Sequence, residues 1–325
     1  MYILENNNFY IGKFYILSMS KLLHIGYGEM GYHAFSGLSS KFDLLGVVTP
    51  PSGENRFRTP AVERTEALAN HNKTPIYNDK GLKALDSLVE ELSPDVVVIC
   101  SYDKIIPERT LKKSTFINVH HGDLPRYRGR ANINWAIING RNSIGVSVHK
   151  VLPKLDAGGI YKMWDIPILD NDYIADIYST VNHNIHKELP EIVKGILEKR
   201  IKPTPQVGEP TYCCTRLPED GAIDWAKPAN EIRNLIRGIS KPFPGATTSL
   251  YYKNEFKNMI IWRADIPKEP RKYEGNIPGR VGRILKGTGV EVLTGTHPLI
   301  ITNVSLNGKD YKADEVIKSV ASTLK

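Results

Sequence analysis

The sequence predicts an α/β fold in two parts, a parallel-sheet domain followed by a small barrel of short strands, and three observations carry that expectation. Short β-branched runs alternate with helical stretches over the first hundred residues, the order that builds βαβ units. Gly26, Gly28 and Gly31 stand directly behind the first of these runs. Beyond about residue 245, short apolar runs recur at regular spacing with turn residues between them, the signature of a small barrel.

Taken in order, residues 22–26 (LLHIG) form the first buried strand, a helix starts near Met30, and residues 44–49 form the second strand. A helix over 60–70 and a strand over 96–100 follow. The spacing G-x-G-x-x-G at 26–31 is where a dinucleotide fingerprint would sit. The second strand, however, ends Val47-Val48-Thr49-Pro50, with no carboxylate for a ribose. The glycines are therefore read as a tight strand-to-helix turn. Residues 50–59, PPSGENRFRT, read as a surface loop carrying Arg56 and Arg58.

A further strand ends at His120 inside the densest stretch of the chain, FINVHHGDLPRYRG at 116–129, and a helix follows over 133–139. Residues 145–150 and 160–168 read as the arms of a hairpin around a Lys-, Asp- and Gly-rich turn. A long helix is expected over 173–199, with Pro190 as a kink or break. Pro203, Pro205 and Pro210 mark a linker. Past it come a helix over 229–239 and strands over 247–252, 259–264, 279–285, 289–293 and 299–306.

Length and composition agree with this layout. The 325 residues, 41% hydrophobic and 24% charged, suit two globular domains. No apolar run reaches the roughly 18 residues of a spanning helix. The formal net charge of +8, scattered along the chain, favours an anionic partner such as a nucleotide, a phosphate or RNA without choosing among them. Cys100, Cys213 and Cys214 offer neither a disulfide framework nor metal-ligand spacing, so no metal is expected and a reducing cytosol fits. Residues 1–18 lack a signal-peptide pattern. The native start is expected at Met19, with the preceding residues a disordered leader or a start-site artefact, or else an extra strand or helix.

Asn118 and His120 share one face of their strand, because strand side chains repeat every second residue. Asp156 falls in the hairpin turn. An amide donor beside an imidazole suits acyl transfer: the amide stabilises a developing oxyanion while the imidazole handles a proton. A nearby carboxylate would favour the imidazolium. Spacing alone leaves open a satisfied loop histidine with an unrelated aspartate.

The surrounding letters are more specific. Asn118-Val119-His120, Leu124-Pro125, Tyr127-Arg128-Gly129, Trp135 with Gly140, Gly145-Val146-Ser147-Val148-His149 and Asp156-Ala157-Gly158-Gly159-Ile160 together resemble the 10-formyltetrahydrofolate-dependent formyltransferases. Later segments, Thr211-Tyr212, Arg216, Pro218, Asp220-Gly221, Ile223-Asp224-Trp225 and Pro242-Phe243-Pro244-Gly245-Ala246, resemble the branch of that family that formylates nucleotide-linked amino sugars. The resemblance covers about residues 20–306.

It implies a Rossmann-like catalytic domain at 19–203 and a small β-barrel-like (OB-like) domain at 204–325. It also implies 10-formyltetrahydrofolate as formyl donor, and Asn118, His120 and Asp156 as the catalytic residues. The pterin would lie against Tyr102, Lys104, Ile105, Ile106, Leu124 and Asp156. Two departures stand out: Asp123 occupies a place where the family more often has an apolar residue, and His121 adds an imidazole beside His120. Register from Asn118 selects His120.

The acceptor implied is a nucleotide-linked amino sugar. The rival is the amine of methionyl initiator tRNA, but the enzymes acting on it resemble this chain with a longer basic insertion after the second strand, where only residues 50–59 stand here. Arg128, Arg130 and Arg216, with Arg233 or Arg237 on the later helix, are the candidate phosphate donors, and Tyr212 or Trp225 the candidate base-stacking ring. A binding protein on the same fold would have lost one of the three catalytic residues, and none is lost. A cytoplasmic homodimer serving surface-polysaccharide synthesis, with neither membrane nor nucleic acid as partner, completes the expectation.

Overall fold

A computed structural model describes residues 20–51 and 59–325. The expected leader and the Arg56–Arg58 loop lie outside the described residues. The chain forms two compact units, and the division is not a single cut: residues up to Gly129 join 145–166 and 179–212, while 130–144, 167–178 and 213–325 make the second unit.

In the first unit, β1 (Leu22–Gly26), β2 (Leu44–Thr49), β3 (Ile76–Asn78), β4 (Val96–Cys100) and β5 (Thr115–His120) run parallel, and the neighbouring β7 (Ser143–Lys150) runs antiparallel to β5 beyond the short β6 (Arg128–Gly129). The order across the sheet is β3-β2-β1-β4-β5-β7-β8, with β8 at Ile160–Pro167. Leu22, Leu23, Ile25, Val97 and Val98 are fully buried, as strands covered on both faces by crossover helices must be. α1 (Gly28–Ser39) packs on β1 and on α2 (Pro60–His71). α3 (Leu82–Leu92) turns Leu85 and Val89 inward, and the short α4 (Glu108–Leu111) precedes β5.

The sequence pattern missed β3 and α3. The first is three residues long, and the second buries only Leu85 and Val89 fully, with Leu88 and Leu92 packed beside them. Pro190 does not break the long helix, which runs from Ile174 to Leu197. The residue four before it, His186, loses its helical N–H partner. Gly37 of α1 packs against that carbonyl so closely that a Cβ there would lie 2.3 Å from the His186 oxygen.

The second unit contains α5 (Asn132–Ile138), the first turn of the long helix α6 (Ile174–Leu197) and everything after Tyr212. Beyond β9 (Tyr212–Cys213), α7 (Ala229–Ile239) packs on α5 and on β11. The antiparallel sheet comprises β10 (Ala246–Tyr252), β11 (Glu255–Asp265), β12 (Val281–Leu285), β13 (Gly289–Val292), β14 (Leu299–Leu306), β15 (Lys309–Lys312) and β16 (Thr323–Leu324), with the short α8 (Ala313–Val316) between the last two. Its order is β12-β13-β14-β11-β10-β16. A bridge between Arg280 and Thr323 joins the two ends, so the sheet curls into the expected barrel. β11 is longer than its apolar stretch because Lys253 and Asn254, both left-handed, close a tight hairpin that pairs it with β10 down to Glu255.

Candidate active site

Parallel β5 delivers Asn118 and His120 to its carboxyl end, and antiparallel β7 lays His149 directly across from Asn118 and Ser147 across from His120. Asn118 Nδ2 lies 3.2 Å from His149 Nε2. His120 Nε2 donates to the Tyr127 carbonyl at 2.7 Å, a carbonyl being only an acceptor. Its other nitrogen, Nδ1, then faces Asp156 Oδ2 at 3.6 Å, with both side chains buried. Asp156 Oδ1 stands 3.7 Å from His149 Nε2. Asn118, His120 and Asp156, singled out from the sequence, thus converge, and His149 stands among them.

The aspartate's position is built from several directions. Asp156 sits at φ 45°, the left-handed region that non-glycine residues adopt only under local constraint. Oδ2 accepts the Gly129 N–H at 2.9 Å. Gln206 Nε2 donates to the carbonyls of Asp156 at 2.7 Å and Gly158 at 2.8 Å. Arg128 donates in turn to Gln206 Oε1 at 2.6 Å and to the Tyr212 hydroxyl at 3.4 Å. Gly158 touches the end of β7, where an added Cβ would fall 1.7 Å from the Lys150 oxygen.

Burial and the adjacent His120 push His149 down to about 4, Asp156 opposing them, so this imidazole is neutral at neutral pH. The same two causes push His121 to about 3. Asp123, the departure from the family pattern, is buried and pairs with Arg126, which is how a carboxylate is tolerated there.

A second polar cluster fills the carboxyl ends of β1, β3 and β4. Tyr27 Oη donates to Asp79 Oδ2 at 2.5 Å, Lys104 pairs with the same oxygen, and the Gly81 N–H reaches Oδ1 at 2.8 Å. Burial opposes ionisation of Asp79, but these donors outweigh it and hold the carboxyl below its usual range. The Tyr27 and Tyr102 rings meet edge to face at 5.5 Å. Ile106 belongs to the core cluster with Leu23, Ile25 and Phe116, on which Tyr102 and Val151 also pack. The loop after β4 and the start of the Asp156 turn therefore share one apolar support. On those two segments Ile105, Leu152 and Leu155 are exposed. Leu124 is buried, with its N–H toward Ser147 Oγ at 3.4 Å.

The cationic candidates separate. Arg128 is buried and braces Gln206, so its guanidinium supports the Asp156 turn. Arg130 is exposed in the second unit. Arg216, in the same unit, stacks 4.9 Å over the Trp135 ring and donates to the Asp220 carbonyl at 2.7 Å. Arg233 and Arg237, also expected as candidate donors, are instead buried on the carbonyls of 169–172 and hold that loop. Trp225 is a core residue bonded to Thr248, which leaves exposed Tyr212 as the accessible ring of that pair.

Sequence reasoning missed Tyr27, Asp79, His149 and Gln206. His149 stood inside a quoted motif, but the cross-strand register that gives it a neighbour is not written in the chain.

Comparison with known proteins identifies the family of the chain. The formyl transferase model matches residues 43–193, and the model of the formyl transferase C-terminal domain matches 217–320. A bifunctional polymyxin resistance protein ArnA of Wigglesworthia glossinidia brevipalpis is 33% identical over 270 residues, 79% of this chain; the match spans only 39% of that protein's length. A methionyl-tRNA formyltransferase of Listeria monocytogenes is 32% identical over 294 residues, 88% of this chain and 90% of that protein. Among solved structures, WlaRD, a sugar 3N-formyl transferase seen with dTDP and 5-N-formyl-THF, superposes with a TM-score of 0.63 at 17% identity, covering 90% of this chain and 99% of that one. At that identity the likeness concerns the fold.

Proposed function

The chain belongs to the formyl transferase family, and we propose that it is an N-formyltransferase that moves the formyl group of 10-formyltetrahydrofolate to the amine of a nucleotide-linked amino sugar. The observation that carries this reading is the convergence of Asn118, His120 and Asp156, with Asp156 Oδ2 3.6 Å from His120 Nδ1.

The acceptor amine attacks the activated formyl carbon to give a tetrahedral intermediate, which collapses with cleavage of the bond from that carbon to the folate nitrogen; tetrahydrofolate leaves, and the proton lost by the amine ends on that nitrogen. Asn118 directs an amide N–H at the developing oxyanion, and protonated His120 adds a charged donor. Asp156 aligns the imidazole, stabilises its charge and, within reach of the same centre, helps move the amine's proton. The residues present fit a flat pteridine ring: exposed Ile105, Leu152 and Leu155 offer apolar surface on segments anchored to the core cluster that holds Ile106 and Tyr102, and Lys104 and buried Leu124 are the other proposed contacts. Backbone groups of 101–107 and the Asp156 turn are available to read the ring's edge.

The sugar-nucleotide acceptor is supported by the short, weakly basic segment at 50–59 and by the ArnA likeness. Arg130 and Arg216 are the proposed diphosphate donors, while Arg128 braces the Asp156 turn through Gln206. Desolvation against Trp135 lowers the Arg216 pKa below the usual guanidinium value. A cytoplasmic homodimer serving surface-polysaccharide synthesis is the setting that goes with this reading. The second reading, a methionyl-tRNA formyltransferase, draws on the 32% identity that extends over nine-tenths of such an enzyme and on the net charge of +8. Formyl transfer from 10-formyltetrahydrofolate to UDP-, dTDP- and GDP-linked amino sugars and to charged initiator tRNA, with His120→Ala as control, decides between them. Turnover of one sugar nucleotide, lost in the variant, is the expected result. Turnover of tRNA alone overturns the acceptor, and silence from every acceptor overturns the reaction.

A further inference from the structure

The geometry points to His149 as a positioning residue: an imidazole, locked in one tautomer, that clamps the Asn118 carboxamide so that its remaining N–H faces the oxyanion. The inference rests on the formyl transfer proposed above and adds to it a residue outside the Asn118, His120 and Asp156 set.

Its steps are chemical. His149 Nδ1 lies 2.8 Å from the Lys150 carbonyl. A carbonyl oxygen only accepts, so Nδ1 carries the hydrogen. Burial keeps the ring neutral, so Nε2 holds a lone pair. That lone pair faces Asn118 Nδ2 at 3.2 Å, and a lone pair accepts an N–H but repels a carbonyl oxygen. An Asn amide is otherwise free to present either end, and the flipped amide would aim its oxygen, with the wrong sign, at the reacting centre. His149 selects the productive orientation. Asp156 Oδ1, at 3.7 Å, is beyond hydrogen-bond reach of the same nitrogen. The clamp needs β7 antiparallel to β5 in the observed register, which puts His149 directly opposite Asn118, where cross-strand side chains touch.

The test replaces the acceptor nitrogen and reads kinetics. With the acceptor that the panel identifies, His149→Leu lowers kcat about 10- to 100-fold, part of the roughly 10²–10³ that a whole oxyanion donor contributes. KM for donor and acceptor stay within about twofold. His149→Gln, whose amide oxygen can accept the Asn118 N–H, restores most of the loss. In an Asn118→Ala background, His149→Leu costs nothing further, because the group it positions is gone. An additive loss in that background, or no loss in the single variant, overturns the proposal. Nitrogen-15 NMR of the wild-type histidines is independent of turnover: Nδ1 protonated and Nε2 bare at neutral pH is expected, and a protonated Nε2 overturns the clamp. If the wild type formylates no acceptor, the proposed reaction fails while the NMR result still decides the tautomer.

Discussion

Asp156→Asn isolates the charge of the aspartate while keeping its shape. The asparagine oxygen still accepts the Gly129 N–H, and Gln206 still holds the backbone carbonyls of the turn, so the fold should survive. What disappears is a carboxylate 3.6 Å from His120 Nδ1, with both side chains at most a tenth exposed. At an effective dielectric constant near 20, opposite unit charges at that separation attract by about 4.6 kcal/mol. If the imidazolium is needed when the oxyanion forms, its loss corresponds to about 10³-fold in kcat. The assay is steady-state formyl transfer at saturating donor and acceptor, with the thermal midpoint measured alongside. A kcat reduced about 10³-fold with the midpoint within a few degrees supports the electrostatic role. Retention of more than a tenth of wild-type kcat in a folded variant would refute it.

Gly158→Ala places a Cβ on the Lys150 oxygen, so the turn must shift. We expect a loss of about 2 kcal/mol in chemical denaturation and about 100-fold in kcat; unchanged activity would show that the turn's position is not critical. Gln206→Leu removes two hydrogen bonds to the turn and strips a partner from buried Arg128. It should destabilise by about 2 kcal/mol and lower kcat roughly tenfold without altering nucleotide affinity, as titration calorimetry would report. Acid sensitivity follows from the buried histidines. His24, held by burial at about 4, and His149, also at about 4, stay neutral in the fold but protonate near 6.5 once unfolded. Stability is therefore full above pH 6.5 and is lost as pH falls toward 4, by roughly 3 kcal/mol per group. Thermal midpoints between pH 7 and 4.5 should show it, and a flat profile would contradict their burial as neutral rings.

Much of this protein was legible in the chain. β1, β2, β4 and α7 announce themselves by continuous apolar runs or by helical period, because burial on two faces or on one stripe writes a pattern into local sequence. Asn118 and His120 share a face by strand alternation alone, so their partnership needed no tertiary knowledge. The arginines were less legible: Arg128, Arg233 and Arg237 look like exposed cations in a string of letters, yet each is buried on oxygen acceptors that lie far away along the chain.

By itself, then, the sequence determined the order of elements, the strand face carrying an amide and an imidazole, and the glycine-rich turn bearing a carboxylate. Tertiary structure alone decided that β7 runs antiparallel to β5 with His149 opposite Asn118, that Gln206 and Arg128 close over the Asp156 turn, and that Tyr27, Asp79 and Lys104 meet at one sheet edge. The physical reason is separation along the chain. Periodicity reports which way a side chain faces within its own element, whereas cross-strand register and the meeting of residues 27, 79 and 104, or 128, 156 and 206, are set by packing and hydrogen bonds between distant segments. Those are the contacts that fix the tautomers and orientations on which the proposed chemistry depends.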